Sequence, residues 1–294
     1  MRVVVNGVHL WFDVEGSGLV PHGPSMRERP TLVLLHGGPG SFDHSYFKPD
    51  FGHLARVAQV VYLDLRGHGR SDHGDPDAWS FEACADDLPA FCDALGIERP
   101  VVLGHSLGGC VAMLYGARHP GHAGGLVLLS TTARFDVPRM VENFRRIAGD
   151  EIADVVRRAY SDERESVVPE EWSRAWKFFG SWVTGPDEKS RIVPNPPLNP
   201  PGMKLLVRFD AREQLRAIRS PTLVCTGDRD PATCPAAARE ILDALPRGVG
   251  RLEIIEDAGH FPWKDEPECV WEALECFLKE SAPSRATWSE SGPA

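Results

Sequence analysis

One serine lies in a pattern that can turn a hydroxyl group into a nucleophile. The run Gly104-His105-Ser106-Leu107-Gly108 directly follows the apolar segment Val101–Leu103 and precedes a stretch with helical spacing. A serine at such a strand-to-helix turn exposes its hydroxyl beside the free N–H groups of a helix N-terminus, which favour developing negative charge. Glycines two residues before and after it let the backbone pass closely. The pattern and its context predict that Ser106 is a catalytic nucleophile.

A serine hydroxyl is essentially un-ionised near neutral pH and therefore needs a base. The chain has eleven histidines, and His260 alone follows the last apolar run, Arg251–Ile255. We therefore predict that His260 takes the proton of Ser106. His36 is expected to be structural.

The base needs an acid to fix its tautomer and to stabilise the imidazolium, and two aspartates compete for this role. Asp228 and Asp230 both follow the apolar run Pro221–Cys225. Asp230 lies deeper in the loop and precedes Pro231, which favours an extended geometry. Asp228 is better suited to the turn itself. Asp230 is the favoured acid.

A glycine-rich loop, His36-Gly37-Gly38-Pro39-Gly40, follows the apolar run Thr31–Leu35. Such a loop can direct a backbone N–H at the reacting oxygen, together with the N–H of the residue after the nucleophile. We predict an oxyanion hole formed by the backbones of Gly38 and Leu107. Phosphate binding is the rival interpretation, but both common phosphate-loop patterns, G-x-x-x-x-G-K-[ST] and G-x-G-x-x-G, are absent.

Short apolar runs predict the strands that carry these loops. They lack alternation, which suits strands buried on both faces of a parallel sheet covered by helices. The first two flank Asn6-Gly7, a strong hairpin signal. The sequence thus predicts an α/β fold with eight strands, antiparallel at the start and mostly parallel afterwards. The runs are Arg2–Val5, Val8–Val14, Thr31–Leu35, Val57–Leu63, Pro100–Leu103, Gly125–Leu129, Pro221–Cys225 and Arg251–Ile255.

Helix signals stand between the strands. Ser80 is a candidate N-cap for a helix that ends at Gly96, and Glu266–Glu280 repeats apolar residues at helical spacing. The segment Asp64–Ser71 is predicted instead to form a tight hydrogen-bonded turn, and His68 and Arg70 within it are not expected to be catalytic.

Residues 134–210 break the alternation of strand and helix. Their helical stretches are rich in aromatic residues, and five prolines in the eight residues Pro194–Pro201 are expected to exclude regular structure. We predict a helical cap of zero net charge, inserted after the sixth strand into a core formed by residues 1–133 and 211–280, with a disordered tail at 281–294. Aromatic cap residues are expected to line the substrate site: Trp172, Trp176, Phe178, Phe179 and Trp182.

Composition limits the possible partners. The formal net charge of −10 argues against nucleic acid or an anionic membrane surface. Seven scattered cysteines without a C-x-x-C pair indicate reduced thiols and neither a disulfide framework nor a zinc site. The N-terminus does not read as a signal peptide, and no apolar stretch is long enough to span a membrane. We expect a cytoplasmic protein with a small-molecule substrate and no metal or cofactor; the oligomeric state stays open.

Over roughly residues 25–133 and 215–280 the chain resembles the α/β-hydrolase superfamily. Within it, His36–Gly40 (HGGPG) and Asp64–Ser71 (DLRGHGRS) resemble the proline iminopeptidases, which remove N-terminal proline from peptides. By position the resemblance implies the same triad and oxyanion hole. Some members of the superfamily place the acid after the sixth strand, which makes Asp136 a third candidate.

The chain departs from the iminopeptidase pattern at two places. That family usually has G-G-S-W-G at the nucleophile, where this chain has GHSLG, and a glutamate in the cap that binds the substrate amine, where this chain has Gly180. Glu170 or Glu171 could substitute for that glutamate, although a solvated helix face explains both equally well. GHSLGG is more typical of esterase-like, lactonase-like and C–C-bond hydrolases of the superfamily.

Three functions follow from these patterns. The first is a serine hydrolase that cleaves a small ester, lactone or amide through an acyl-serine intermediate. The second is a true proline iminopeptidase, and the third a ligand-binding receptor on the same fold. Lyases and acyltransferases also use this fold, and sequence does not separate them from hydrolases.

Overall fold

Eight strands form one sheet in the computed structural model, which describes residues 1–179 and 190–281. The strands of the described residues are β1 (Arg2–Val5), β2 (Val8–Glu15), β3 (Leu19–His22), β4 (Ser25–Glu28), β5 (Thr31–Leu35), β6 (Gln59–Leu63), β7 (Val101–His105), β8 (Gly125–Leu129), β9 (Thr222–Gly227) and β10 (Gly250–Ile255). All except β3 and β4 belong to the eight-stranded sheet, whose order is β1-β2-β6-β5-β7-β8-β9-β10. In it β1 and β2 pair antiparallel, β2 pairs antiparallel with β6, and all other pairs are parallel. The predicted mostly parallel sheet with an antiparallel start is confirmed.

The central strands are buried on both faces, as their unbroken apolar sequence indicates. In β5, Val33 and Leu35 pack into one hydrophobic cluster, whereas Leu32 and Leu34 pack into the cluster on the opposite face. Side chains alternate between the faces of a strand, so a strand covered by helices on both sides needs apolar residues at every position. This burial explains why the runs show no alternation.

Helices cover the sheet and begin and end where local signals predict. Ser80 accepts a hydrogen bond from the Ala83 N–H at 3.1 Å, and Gly96 ends that helix with a left-handed φ of 64°. The α-helices are Lys48–Phe51, Phe81–Leu95, Leu107–Arg118, Val137–Ala148, Asp150–Ala159, Pro169–Trp176, Asn199–Leu206, Pro235–Ala244, Pro262–Asp265 and Pro267–Glu280. Short 3₁₀ helices span His44–Tyr46, Gly52–Arg56, Pro76–Ala78, Arg164–Ser166, Lys177–Phe179, Pro196–Leu198 and Gln214–Ala217. None of the described helices is long and apolar enough to cross a bilayer.

The proline-rich segment corrects one prediction. Pro194–Pro201 was expected to exclude regular structure, yet a 3₁₀ turn spans Pro196–Leu198 and an α-helix begins at Asn199. Prolines occupy the first positions of both, where the backbone N–H has no helical partner and its loss costs nothing. Proline therefore starts these helices and does not break them.

A small hairpin was not predicted from the sequence. β3 and β4 pair antiparallel, and every residue of β4 is exposed. A strand pair that buries no face carries no hydrophobic alternation, so its sequence does not reveal it.

The two ends of the segment 134–210 lie side by side. Arg134 and Asp210 form an isolated antiparallel bridge, and beside it the Phe135 N–H donates to the Phe209 carbonyl at 3.0 Å. Among its described residues the segment forms helices and no other strand contact. The helices before Phe179 pack around Phe144 in a hydrophobic cluster of their own, whereas Leu198 and Leu206 pack into a cluster that includes the sheet. The tail predicted at 281–294 lies outside the described residues apart from Ser281.

All seven cysteines are free of disulfides, and five are buried.

The role of Ser80 as N-cap of the helix Phe81–Leu95 can be tested by substitution. We expect Ser80→Ala to lower the free energy of unfolding by about 1 kcal/mol, because the Ala83 N–H loses its acceptor. Urea denaturation followed by circular dichroism measures the change. Ser80→Asp retains an acceptor oxygen and should keep most of the stability; equal losses in both variants would contradict the capping role.

Candidate active site

Ser106 occupies a strained turn between β7 and the helix Leu107–Arg118. Its φ of 54° and ψ of −118° lie in a region that non-glycine residues rarely adopt, at a cost of about 1–3 kcal/mol. Two hydrogen bonds hold the turn: the Ser106 N–H donates to the Leu129 carbonyl at 3.0 Å, and the Thr131 hydroxyl donates to the Ser106 carbonyl at 2.7 Å. Both partners come from β8 or the loop after it, so the neighbouring strand maintains the strained geometry.

The glycines that flank Ser106 are required by close backbone approaches. A Cβ atom on Gly104 would lie 2.2 Å from the Gly108 carbonyl oxygen, and one on Gly108 would lie 2.2 Å from the Leu35 carbonyl oxygen. Neither neighbour is the flexible end of a side chain, so no larger residue fits without moving the backbone. The spacing of the predicted motif follows from this packing.

The structure brings Asp230 and His260 together. The Nδ1 atom of His260 donates to the Asp230 Oδ2 atom at 2.8 Å, and both side chains are buried. Asp228 is exposed and lies away from this contact, and Asp136 caps the helix Val137–Ala148 by accepting from the Arg139 N–H. Of the three candidate acids, only Asp230 contacts the histidine.

Asp230 is held as an anion although it is fully buried. Burial raises the pKa of its carboxyl group, but the charge and hydrogen bond of His260 and the bonds from Thr233 outweigh burial, so its pKa lies below the usual value. Asp230 Oδ1 accepts the N–H groups of Ala232 and Thr233 at 2.9 Å each, and Oδ2 also accepts the Thr233 hydroxyl. A charged carboxylate can hold the His260 Nδ1 proton in place.

Sequence reasoning missed Thr233. An aspartate that accepts backbone N–H groups two and three residues ahead forms an Asx-type turn, and the run Asp230–Thr233 carries the residue types of that turn.

A chain of hydrogen bonds links the glycine-rich loop, His105 and the backbone of His260. It was not predicted from the sequence. The Gly37 N–H donates to the Tyr46 hydroxyl at 2.9 Å, and that hydroxyl contacts His105 Nδ1 at 2.8 Å. His105 Nε2 then donates to the main-chain carbonyl of His260 at 2.9 Å. Since a carbonyl only accepts, His105 must carry its proton on Nε2 and accept from Tyr46 on Nδ1.

His105 suits this role because it stays neutral. Burial lowers its pKa well below the usual value, and the charge of His260 lowers it further. Its ring centroid lies 4.9 Å from that of His260. The residue before the nucleophile therefore contacts the predicted base and fixes the position of its backbone.

Two backbone N–H groups at the end of the sheet have no acceptor in the described part of the protein. Within residues 1–179 and 190–281, neither Gly38 nor Leu107 donates a main-chain hydrogen bond to the protein. Asn199 anchors the Gly38 loop by donating to the Pro39 carbonyl at 2.8 Å. Both N–H groups suit the predicted oxyanion hole, which needs donors that are positioned in advance.

The Asp64–Ser71 turn is structural, as expected. Asp64 accepts from the Arg70 N–H at 2.8 Å and from His44 Nδ1 at 2.6 Å, and Ser71 donates back to the Asp64 carbonyl. His68 is fully buried, and burial followed by the nearby His36 lowers its pKa to about 3.

Asp43, His44 and Asp64 come close enough to hold a metal ion. The carboxylate oxygens of Asp43 and Asp64, however, already accept hydrogen bonds from protein donors: Arg70 and the Val193 N–H bind Asp43, and His44 binds Asp64. These three residues therefore hold the surrounding loops in place.

Two of the predicted aromatic cap residues line a cavity at the oxyanion loop. The cavity has a volume of about 610 Å³ and lies against Gly38, with Trp172 and Trp176 on one side and Phe42 and Tyr160 among its other walls. Phe42 stacks on Trp176 with centroids 6.3 Å apart. Its size and apolar lining suit a small organic ligand. We refer to it below as the chamber.

The remaining aromatic residues lie elsewhere. Phe179 packs edge-on against His260 at 5.7 Å between centroids, and its carbonyl accepts the His260 N–H at 2.6 Å. Phe178 is 37% exposed and lines a different cavity, beside Asp228 and Asp230. Trp182 and Gly180 lie outside the described residues.

A family model for the alpha/beta hydrolase fold matches residues 30–267. The chain belongs to the α/β-hydrolase fold family. It is 29% identical to "Putative carbamate hydrolase RutD" of Caulobacter sp. (strain K31), over 89% of this chain and 95% of that relative. It is 27% identical to a proline iminopeptidase of Saccharolobus solfataricus, over 85% of each chain. The solved structure of a thermophilic esterase from Thermogutta terrifontis matches with a TM-score of 0.67 at 26% identity, over 96% of this chain and 100% of the esterase.

These relatives agree with the family resemblance read from the sequence. The eight-stranded, mostly parallel sheet with flanking helices is the fold that the family model and the solved structure share with this chain. The named activities of the relatives differ, so membership of the family identifies a hydrolase type and leaves the substrate to be argued from the site.

The Asp230–His260 contact generates a prediction. We expect Asp230→Asn to lower the rate of serine acylation or ester turnover by about 10⁴-fold, because the amide favours the wrong histidine tautomer. Asp228→Asn is the matched control two residues away and should change the rate far less. Stopped-flow or steady-state assays with a p-nitrophenyl ester measure both. A larger loss in the Asp228 variant would mean that the acid is misassigned.

Proposed function

We propose that the protein is a serine hydrolase that cleaves a small ester, lactone or amide through an acyl-serine intermediate. The observation that carries this proposal is the buried Asp230–His260 hydrogen bond of 2.8 Å, found in the same chain as a serine in a strained strand-to-helix turn. A ligand-binding protein has no need of a buried acid–base pair, because the free energy lost when the pair is removed from water must be offset by specific hydrogen bonds.

In this mechanism Ser106 Oγ attacks the substrate carbonyl carbon while His260 Nε2 takes the hydroxyl proton. The negative charge on the carbonyl oxygen is stabilised by the N–H groups of Gly38 and Leu107. His260 then gives its proton to the leaving group, and an ester bond joins the acyl group to Ser106. Water attacks that ester with His260 again as base, which releases the acid and restores the serine.

We propose that residues 134–210 form a cap over this site. The contacts of Phe179 with His260, and the position of Trp172 and Trp176 opposite Gly38, support a substrate chamber between the cap and the sheet. Apolar walls lower the polarity around the substrate and strengthen the electrostatic interactions inside.

Proline iminopeptidase activity is the second candidate, because three relatives of that name are 27%, 26% and 25% identical to this chain. The described part of the cap, residues 134–179 and 190–210, argues against it. Glu170 is exposed, and Glu171 is engaged by Arg158, whose Nη2 atom lies 2.9 Å from it. Among the described residues that line the chamber, none is a carboxylate that could meet a substrate ammonium group.

Ser106 tests the proposal directly. We expect Ser106→Ala to abolish labelling by a fluorophosphonate probe and to lower turnover by about 10⁴-fold or more, with folding retained. A panel of p-nitrophenyl esters, acyl lactones and proline arylamides supplies the substrates. Absence of labelling in the folded wild-type protein would favour the receptor interpretation, and undiminished rates in Ser106→Ala would reject the serine mechanism.

Substrate charge separates the two hydrolase candidates. We expect N-acetyl-proline arylamide to exceed proline arylamide in kcat/KM by about tenfold, because the free ammonium group loses hydration without gaining a carboxylate partner. The pair shares the scissile bond, so steady-state kinetics isolates the effect of the amine. A clear preference for the free amine would restore the iminopeptidase, with Glu170 and Glu171 as the first residues to replace.

A further inference from the structure

The chamber contains one charged side chain. Among the described residues that line it, Arg164 alone carries a charge, and the other walls are apolar, aromatic or neutral polar groups such as Tyr160 and Trp172. Arg164 is half-buried at the start of a 3₁₀ helix in the cap. An ionised group in such a place normally has a partner of opposite charge, because losing hydration is costly.

Arg164 has no such partner in the part of the chain that the structure describes. Its Nη2 atom donates to the Asn199 side-chain oxygen, a neutral acceptor. The acidic neighbour Glu163 forms an ion pair with Arg157, in which Arg157 Nη1 lies 2.6 Å from Glu163 Oε1. Burial lowers the pKa of Arg164, and only the nearby Tyr160 opposes that shift. A guanidinium group has five N–H donors, so most of its hydrogen-bonding capacity is left for a ligand.

The contacts of Asn199 link Arg164 to the glycine-rich loop that carries Gly38 at the wall of the chamber. Asn199 accepts from Arg164 and, through its Nδ2 atom, donates to the Pro39 carbonyl at 2.8 Å and to the Ser41 hydroxyl at 3.3 Å. Pro39 directly follows Gly38, whose N–H belongs to the proposed oxyanion hole. One side chain thus separates the guanidinium group from the loop that would hold the substrate carbonyl.

We propose that Arg164 binds a carboxylate group of the substrate, so that the preferred substrates are esters or amides carrying a free acid a few carbon atoms from the scissile carbonyl. This inference rests on the proposed serine hydrolase function and specifies its substrate class. Arg164 determines specificity and takes no part in proton transfer. A planar guanidinium group pairs with a carboxylate through two parallel hydrogen bonds, which fix the direction of the bound acid.

Matched substrates test the proposal. We use p-nitrophenyl monoesters of glutaric and adipic acid with a free terminal carboxylate, and the same compounds with that carboxylate capped as a methyl ester. The wild-type protein should favour the free acid of at least one pair by about tenfold in kcat/KM, since charge-assisted hydrogen bonds are among the stronger ones. Rates in Ser106→Ala supply the background of spontaneous hydrolysis.

Variants assign the preference to Arg164. Arg164→Gln should lower kcat/KM for the free acid by about tenfold more than for the capped ester, because the methyl ester cannot pair with the guanidinium group. Arg164→Lys keeps the charge and should retain part of the preference. Arg174→Gln is the control, because it removes one charge from the same cap at a side chain that is 53% exposed and paired with Glu151.

A binding measurement separates this inference from the proposed function. Calorimetric titration of Ser106→Ala with monomethyl and dimethyl adipate needs no turnover, and the monoacid should bind about tenfold more tightly, with the difference lost on adding Arg164→Gln. If wild type shows neither labelling nor turnover, the hydrolase proposal fails while this titration still decides the role of Arg164. Equal binding of the two adipates, or a preference unchanged in Arg164→Gln, would overturn the inference.

Discussion

The strained turn at Ser106 is the constraint on which the rest of the site depends. It stands at the carboxyl end of β7, which pairs with β5 on one side and β8 on the other. Parallel strands end at the same edge of the sheet, so the loops after β5 and β8 are brought to the serine. The β8 loop supplies Thr131, which bonds the Ser106 carbonyl, and the β5 loop supplies Gly38. A turn with positive φ survives only where its neighbours determine it, and here the hydrogen bonds from β8 and its loop do so.

The Tyr46–His105 hydrogen bonds extend that constraint to the base. Tyr46 ties the glycine-rich loop to the residue before the nucleophile, and His105 ties that residue to the backbone of His260. All members are buried, so an unpaired donor or acceptor in the chain would be costly. The network therefore favours one arrangement of the glycine-rich loop, Ser106 and His260, which is the preorganisation that the proposed general-base catalysis requires.

Charge is distributed unevenly around the proposed substrate. Behind His260, the anionic Asp230 is buried and its oxygens accept several protein hydrogen bonds. The chamber beside Gly38 presents aromatic walls and the guanidinium group of Arg164. In the proposed mechanism the first arrangement stabilises the imidazolium that forms as the serine reacts, and the second opposes a substrate cation. The proposed site thus stabilises positive charge on its own base and selects against positive charge on its ligand.

The sequence by itself determined the sheet and the serine turn, since apolar runs, glycine spacing and capping residues record local burial and backbone geometry. It also predicted His260 as the base and favoured Asp230 over Asp228 because Pro231 follows Asp230, and the structure shows that Asp230 is the one that contacts the histidine. It did not reveal β3 and β4, because they bury no face, nor the helix beginning at Asn199, where proline starts a helix. Only the tertiary structure decided the pairing of Tyr46 with His105 and of Arg164 with Asn199, separated by 59 and 35 residues. Such contacts depend on how distant elements pack, and no local pattern records that.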